Sequence, residues 1–176
     1  LQDGSGALTV ATTRPETLFA DVAVAVHPED DRYKSFIGKS VLLPLTGRAI
    51  PVIADSYVER DFGTGCLKIT PAHDANDFEV GQRHNLEKPV VIDQHGKLMQ
   101  SELVPEFLHG KERFAARKET VEALKEAELL AEEREYVNGV GHCERCNTVI
   151  EPLLSDQWYL KMKELAEPAI QVVEEN

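Results

Sequence analysis

The first half of the chain consists of short apolar, β-branched segments separated by glycine-containing turns, and this pattern limits the fold more than any other feature. Alternation and β-branched residues over such short lengths are typical of β-strands. We predict strands at 8–13, 22–26, 41–45, 50–54 and 66–70. Many short strands at this spacing favour a sheet that curls into a small β-barrel, here over residues 8–104.

The composition of the second half favours helices instead. Residues 111–135 are rich in Ala, Glu, Lys, Arg and Leu, with apolar residues at roughly helical spacing, and predict one long helix or two abutting helices. A shorter helix is predicted from Asp74 to His84. A cysteine turn and a return segment at 139–163 follow, and a tail at 164–176 has few structural signals after Pro168. The predicted class is mixed β with α: a central β-barrel decorated by helices, in one domain at 1–163.

The charge balance limits the partners of the chain. The 176 residues include 19 Lys and Arg against 31 Asp and Glu, a net charge of −12, which argues against a nonspecific grip on a phosphate backbone. Any contact with nucleic acid should therefore be local, such as a pocket for one unpaired nucleotide. No apolar run is long enough to span a bilayer, and the first residues resemble neither a signal peptide nor a transit peptide. With three cysteines and only one close pair, we expect a cytoplasmic protein without a membrane contact.

A dense polar group, Thr-Thr-Arg-Pro-Glu-Thr, occupies residues 12–17 directly after the first predicted strand. Strand ends are favoured places for functional residues. The same residues also fit a helix start, because Thr13 and Glu16 have the spacing of a capping box and Pro15 suits the first helical position. From this segment alone, capping and a functional site are equally good interpretations.

A second polar group follows the last predicted strand and opens the short helix. Asp74 and Asp77 are three residues apart on one helix face, where interaction with the helix N-terminus would account for both. Lys68 and Thr70 share one face of the incoming strand, because side chains alternate along it. The wall of a polar pocket is predicted from these five residues together: Lys68, Thr70, His73, Asp74 and Asp77.

Metal and nucleophile motifs are weak or missing in this sequence. Cys143 and Cys146 have the spacing of a zinc knuckle, with His142 adjacent, but no second pair completes a tetrahedral site. We therefore expect no bound metal, and Cys143 and Cys146 are only weak candidates for metal ligands. Cys66 is expected to be a small core residue.

Four motifs that would indicate a protein nucleophile or a cofactor are absent: the nucleophile elbow, the phosphate loop, the dinucleotide fingerprint and the zinc-protease motif. No cofactor is therefore expected, and the nucleophile of any reaction here should be water.

Three motifs occur in order: ATTRPET at 11–17, FGTG at 62–65 and ITPAHDANDFEVG at 69–81. Together they resemble the inserted editing domain of class I valyl-tRNA synthetases, over residues 8–163. The leucyl and isoleucyl enzymes carry a related insertion, but Glu16 and Asn76 stand where the leucyl pattern prefers Asp and Arg. The isoleucyl version lacks the Arg-Pro-Glu and His-Asp pairing. Residues 151–158 look like the return strand toward a catalytic domain, and the cysteine pair departs from many valyl enzymes.

The resemblance implies a β-barrel decorated by helices and inserted into a Rossmann-type catalytic domain. Its reaction would be hydrolysis of the ester that joins threonine to valine tRNA (post-transfer editing), with pre-transfer editing left open. The implied partners are the 3′ end of valine tRNA carrying threonine and the remainder of the synthetase, which would deliver that end. The chain itself is expected to be a monomer.

The resemblance also assigns roles to individual residues. Asp77 matches the position that binds the α-amino group of the substrate, and we expect it, Lys68 and Thr70 to be the catalytic residues. Lys68, Thr70 and Asp74 match positions that line the valyl pocket, where a charge and hydroxyls are expected to recognise the threonine side chain and orient water. Which of the three contacts the threonine hydroxyl stays open. The wall for the terminal ribose and phosphate is matched by Thr12, Thr13, Arg14 and Thr17, and the aromatic position for adenine is matched by Phe62. His73 belongs to the adjacent pocket wall and is also expected to bind substrate.

Three alternatives stay open on the sequence. A noncatalytic module would grip the tRNA acceptor end without hydrolysis. A zinc-ribbon adaptor based on Cys143 and Cys146 would unfold on chelation. A leucyl-type editing domain would prefer mischarged leucine tRNA.

Overall fold

The computed structural model describes residues 1–175, and its regular elements alternate with long connecting segments. Asn176 lies outside the described residues. The strands are β1 (Ala23–Val26), β2 (Ser40–Leu42), β3 (Ala49–Ala54) and β4 (Cys66–Ile69). The α-helices are α1 (Ala75–Arg83), α2 (Arg113–Glu126) and α3 (Met162–Glu174), and short 3₁₀ helices are η1 (Pro15–Ala20), η2 (Lys34–Phe36) and η3 (Glu106–Leu108).

The four strands form one open sheet in the order β2-β3-β1-β4. β1 runs parallel to β3, with Val24 opposite Val52, and antiparallel to β4, with Val24 opposite Lys68. β2 pairs antiparallel with β3. β2 and β4 lie at opposite edges, so the predicted closed barrel is wrong for the described residues.

The predicted strand at 8–13 does not form. Leu8 and Val10 do pack against the core, so the alternating pattern read from the sequence is a real burial pattern. The backbone of this segment nevertheless has no regular structure and joins no sheet edge. The other predicted strands are present, with ends that differ by a few residues.

Both faces of β1 are covered, which explains why this strand is a continuous apolar run. Val24 and Val26 point into a cluster with Phe19, and Ala23 and Ala25 point to the other face. Successive side chains of a strand alternate between faces, so a strand buried on both sides carries no polar positions. Two clusters result. The first contains residues of η1, η3 and α2, with Cys66 as predicted; the second contains Ile69 and Val80 of α1.

The predicted helix at Asp74–His84 is confirmed as α1. Asp74 is its N-cap residue and accepts hydrogen bonds from Asn76 N at 2.8 Å and Asp77 N at 3.1 Å. His84 is its C-cap residue. A carboxylate at this position satisfies free N–H groups of the first turn and interacts favourably with the helix dipole.

The long helix predicted at 111–135 is shorter than expected. α2 ends at Glu126, and Glu128 adopts the left-handed conformation with φ of 56°. The following stretch carries Glu132, Glu133 and Glu135, and acidic residues interact unfavourably with the C-terminal end of a helix. This charge distribution favours ending the helix early over continuing it.

The end of the chain also differs from the prediction. Residues 151–161 have no regular structure, so no strand forms over the predicted return segment among the described residues. α3 occupies most of the tail that was expected to lack structure. Apolar Met162, Leu165 and Ile170 repeat at helical spacing, although Pro168 lies within the helix. The predicted boundary at 163/164 falls inside α3. Across residues 1–175, no helix is both long and apolar enough to span a membrane.

Candidate active site

A buried polar cluster lies where the end of β4 meets the segment after η1. The ammonium group of Lys68 donates to Asp21 Oδ1 at 2.8 Å, to Thr17 Oγ1 at 3.1 Å and to Thr70 Oγ1. The hydroxyl of Thr70 donates to the same Asp21 oxygen at 2.6 Å. All four residues are buried, with Lys68 the most exposed at 8%. We call Thr17, Asp21, Lys68 and Thr70 the Lys68 cluster.

The contacts of Lys68 determine what it can do. An ammonium group has three N–H donors, and here each one has a protein acceptor. Lys68 therefore orients the hydroxyls of Thr17 and Thr70 and pairs with Asp21, rather than presenting a free donor to a ligand. Removing either member of such a buried ion pair would leave an uncompensated charge, which costs about 3–5 kcal/mol.

Asp21 is the functional candidate that sequence reasoning missed. It is 1% exposed, and burial raises the pKa of its carboxyl group, while the Lys68 ammonium and the Thr70 hydroxyl favour the ionised form. A usable signal was present in the sequence, because Asp21 interrupts an otherwise apolar run from Leu18 to Val26. A carboxylate in a buried run needs a partner.

Asp77 lies next to the cluster, in the first turn of α1. Its Oδ2 accepts a hydrogen bond from Thr70 N at 2.9 Å. Among the described residues no hydrogen bond reaches Oδ1, and the residue is 7% exposed. Burial raises the pKa of Asp77 to about 6, against the hydrogen bond from Thr70. One carboxylate oxygen thus fixes the end of β4, and the other is left for a cationic or hydrogen-bonding ligand.

Arg14 joins the two predicted polar groups. Its Nη1 donates to the carbonyl of His73 at 2.8 Å, and its backbone carbonyl accepts from Thr17 Oγ1 at 3.0 Å. Its Nε lies 3.4 Å from Glu16 Oε1, and its Nη2 contacts Glu151. The guanidinium therefore ties residues 12–17 to the start of α1.

The capping-box interpretation of residues 12–17 is wrong. Arg14, not Thr13, is the N-cap residue of η1, and no side chain caps it. Glu16 is fully buried and accepts from Arg117 Nε at 2.8 Å and Nη2 at 2.7 Å. Thr12 Oγ1 instead accepts from Arg14 N at 3.0 Å, and both Thr12 and Thr13 are exposed.

His73 is buried at 1% exposure in the wall behind the site. Its Nε2 accepts a hydrogen bond from Val91 N at 3.1 Å, so the neutral ring carries its proton on Nδ1. Burial, together with the positive charges of Arg14 and Lys68, lowers the pKa of His73 to about 4. This burial favours a supporting role over direct contact with a substrate.

Phe62 is 64% exposed on a tight turn whose geometry explains the FGTG motif. Gly63 and Gly65 have φ of 58° and 74°, which residues with a side chain rarely adopt. A Cβ on Gly63 would lie 3.8 Å from the Cβ of Ala11, so the turn packs beside the segment that leads into Thr12. Phe62 also borders a surface groove of about 470 Å³, whose other lining residues lie outside the Lys68 cluster: His27, Ser56, Val58, Glu59, Arg60 and Asp61.

The Cys143 and Cys146 pair lies in a tight turn away from these contacts. Asn147 N donates to Cys143 O at 2.8 Å, Cys143 N donates to Thr148 O at 2.9 Å, and both thiols are free. Over residues 1–175, no group of three or more His, Cys, Asp or Glu side chains is arranged to hold a metal ion.

Comparison with known proteins connects this geometry to a family. Residues 29–115 match the family model described as the editing domain of leucyl-tRNA synthetase. The valine–tRNA ligase of Carboxydothermus hydrogenoformans is 60% identical over 97% of this chain and 19% of its own length. That of Bacillus cereus is 56% identical over 97% of this chain and 19% of its own length. The chain belongs to the editing domains of the valyl- and leucyl-tRNA synthetase family.

The relatives favour the valyl branch of the family. The family model is described as leucyl, but the relatives that match almost the whole of this chain are named valine–tRNA ligases. A third one, from Petrotoga mobilis, is 51% identical over 99% of this chain and 20% of its own length. The chain spans about a fifth of the length of these relatives. This editing domain is thus similar to one part of a larger ligase.

A solved structure supports the fold assignment. A LeuRS of Agrobacterium radiobacter K84, in a ternary complex with tRNA and LeuAMS, matches with a TM-score of 0.50 and 24% identity. The match covers 70% of this chain and 18% of that chain.

Proposed function

We propose that this editing domain hydrolyses the ester that joins threonine to the 3′ end of valine tRNA. The observation that carries the proposal is the pairing of Asp77 with Thr70 beside the Lys68 cluster. It places a carboxylate with one unpaired oxygen next to hydroxyls that are oriented by a buried ammonium group. The identity of 60% and 56% to two valine–tRNA ligases, over 97% of this chain in each case, supports the choice of substrate.

Threonine and valine have nearly the same shape, so an apolar pocket that accepts valine rejects an added hydroxyl poorly. A second site that requires a hydrogen bond to the threonine hydroxyl would exclude valine. Valine would leave a buried polar group unpaired, at a cost of about 1–3 kcal/mol. We assign this recognition to the set formed by Lys68, Thr70 and Asp74. Lys68 contributes by fixing Thr70, and Asp74 by presenting the carboxylate oxygen that does not cap α1.

Asp77 is assigned to the α-ammonium group of the misattached amino acid. Pairing with the ammonium would hold the ester carbonyl against the attacking water, which is the nucleophile. Positioning and stabilisation of developing charge then supply most of the acceleration, because the site presents no evident strong base. Arg14, Thr12, Thr13 and Thr17 are proposed to border the terminal ribose and phosphate, and exposed Phe62 to stack on adenine.

The remainder of the synthetase is proposed to bring the tRNA end to this site. The chain carries a net charge of −12 and therefore lacks a general attraction for the polyanion. We propose residues 1–163 as the editing unit, with 164–176 leading toward the catalytic domain of a cytoplasmic enzyme. The editing unit would act as a monomer, and pre-transfer editing would use the same pocket.

Deacylation by the full-length synthetase tests the proposal directly. Threonine-charged and valine-charged valine tRNA are incubated with the enzyme, and the remaining ester is measured over time. We expect rapid loss of threonine and little loss of valine. Binding of the tRNA end without loss of either amino acid would support a noncatalytic module, and preferred hydrolysis of mischarged leucine tRNA would support leucyl-type editing.

A further inference from the structure

Glu151 connects the exposed cysteine turn to the candidate site. Residues 141–150 form a small hairpin, in which Ile150 N donates to Gly141 O at 2.9 Å. Arg113 of α2 donates to Val149 O at 2.8 Å and to Glu151 Oε2 at 2.9 Å. The other carboxylate oxygen of Glu151 accepts from Arg14 Nη2.

The burial of Glu151 distinguishes it from its neighbours. Its side chain is 14% exposed, whereas residues 152–161 are exposed. A third donor also faces it, because the protonated Nδ1 of His73 lies 3.8 Å from Glu151 Oε1 and is buried without a hydrogen-bond partner. One carboxylate therefore pairs with two guanidinium groups and lies near an imidazole N–H, which is more than an isolated surface ion pair provides.

The contact with Arg14 reaches the start of α1. The same guanidinium holds the carbonyl of His73, and the next residue, Asp74, is the N-cap residue of α1. Asp77 lies in the first turn of that helix. Through Arg14, the position of Glu151 therefore bears on where Asp77 lies relative to Thr70.

The charges in this region alternate. Arg113, Glu151, Arg14, Glu16 and Arg117 form a continuous series of ion pairs across α2, the segment after the hairpin and η1. Removing the charge of Glu151 leaves Arg14 with Glu16 at 3.4 Å as its carboxylate partner. Arg14 would then be free to rotate away from the His73 carbonyl.

We propose that Glu151 is a positioning residue for editing, which acts through Arg14 to hold the start of α1 and hence Asp77. This inference rests on the proposed function. Glu151 touches no substrate in this assignment. Its role is to couple the hairpin at 141–150 to the geometry of the site.

The test uses the full-length synthetase with Glu151→Gln, which keeps the size of the side chain but removes its charge. Glu144→Gln is the matched control, because Glu144 lies exposed on the turn of the same hairpin. We expect Glu151→Gln to lower kcat for deacylation of threonine-charged valine tRNA by about 10- to 100-fold, with KM changed less than about twofold. Valine activation and the control variant should keep wild-type values.

A double-mutant cycle separates positioning from general stability. If Glu151 acts through the placement of Asp77, adding Glu151→Gln to Asp77→Asn should lower the rate little further. Rates are measured at a temperature where melting curves show every variant to be folded. A kcat for Glu151→Gln within about twofold of wild type, or effects that multiply fully in the double variant, would overturn the inference. Absence of deacylation by the wild type would instead reject the proposed function.

Discussion

Replacing Asp77 with alanine in the full-length synthetase is expected to abolish removal of threonine from valine tRNA. The Asp77 carboxylate is proposed to bind the substrate ammonium with one oxygen while the other accepts from Thr70 N at 2.9 Å. Loss of a charge-assisted hydrogen bond costs about 1.5–3 kcal/mol, or roughly 10- to 150-fold in rate. Alanine also leaves the buried Thr70 N–H without its acceptor, which allows the end of β4 and the start of α1 to shift.

A displacement of about one ångström at a reacting centre costs roughly another 100-fold. The two effects together predict a loss of roughly 1,000- to 10,000-fold for Asp77→Ala. Asp77→Asn keeps an acceptor for Thr70 N and loses only the charge, so its loss should stay near the smaller value of roughly 10- to 150-fold. The order wild type, Asn, Ala follows from the two separate roles of the two oxygens.

The assay follows hydrolysis of threonine-charged valine tRNA, with valine activation measured in parallel. Activation should be unchanged in both variants, because that chemistry is assigned to another domain. Glu79→Ala is the control, since Glu79 is an exposed carboxylate on the same helix. If Asp77→Ala deacylates threonine-charged tRNA at the wild-type rate, Asp77 serves only to hold Thr70 and the site assignment is refuted.

Four further outcomes are expected. Because burial raises the pKa of Asp77 to about 6, its carboxylate becomes protonated as the pH falls through that value. The kcat/KM for deacylation should then drop about tenfold per pH unit below it, and a flat profile there would contradict an essential carboxylate. Gly81→Ala places a Cβ 2.8 Å from Pro71 Cγ, so the free energy of unfolding measured with denaturant should fall by about 1 kcal/mol, despite the better helix propensity of alanine. An unchanged unfolding midpoint would show that α1 can shift freely. Chelators should leave the melting temperature of the isolated chain unchanged, since Cys143 and Cys146 lack further ligands among the described residues; a large drop together with one metal per chain would reverse this expectation. The isolated chain should bind whole tRNA weakly, and strong binding that persists at high salt would show that its charge of −12 does not limit the affinity.

Local signals in the sequence determined the elements around the site. The alternation of Lys68 and Thr70, followed by Asp74 at a helix start, specified a strand that ends in a capped helix, and α1 confirms it. Side chains on these elements are placed by backbone periodicity and by hydrogen bonds within a few residues. A short stretch of sequence therefore contains enough information to place them relative to one another.

Contacts between distant segments were decided only by the tertiary structure. Asp21 pairs with Lys68 across 47 positions, and Glu16 pairs with Arg117 across 101, which replaces the capping box that local spacing suggested. The same limit applies to the sheet, because Leu8 and Val10 show a strand-like burial pattern but find no edge to pair with. A periodic pattern specifies which side chains are buried. Which backbone pairs with which, and which buried charge meets its partner, depends on how the whole chain closes around its two cores.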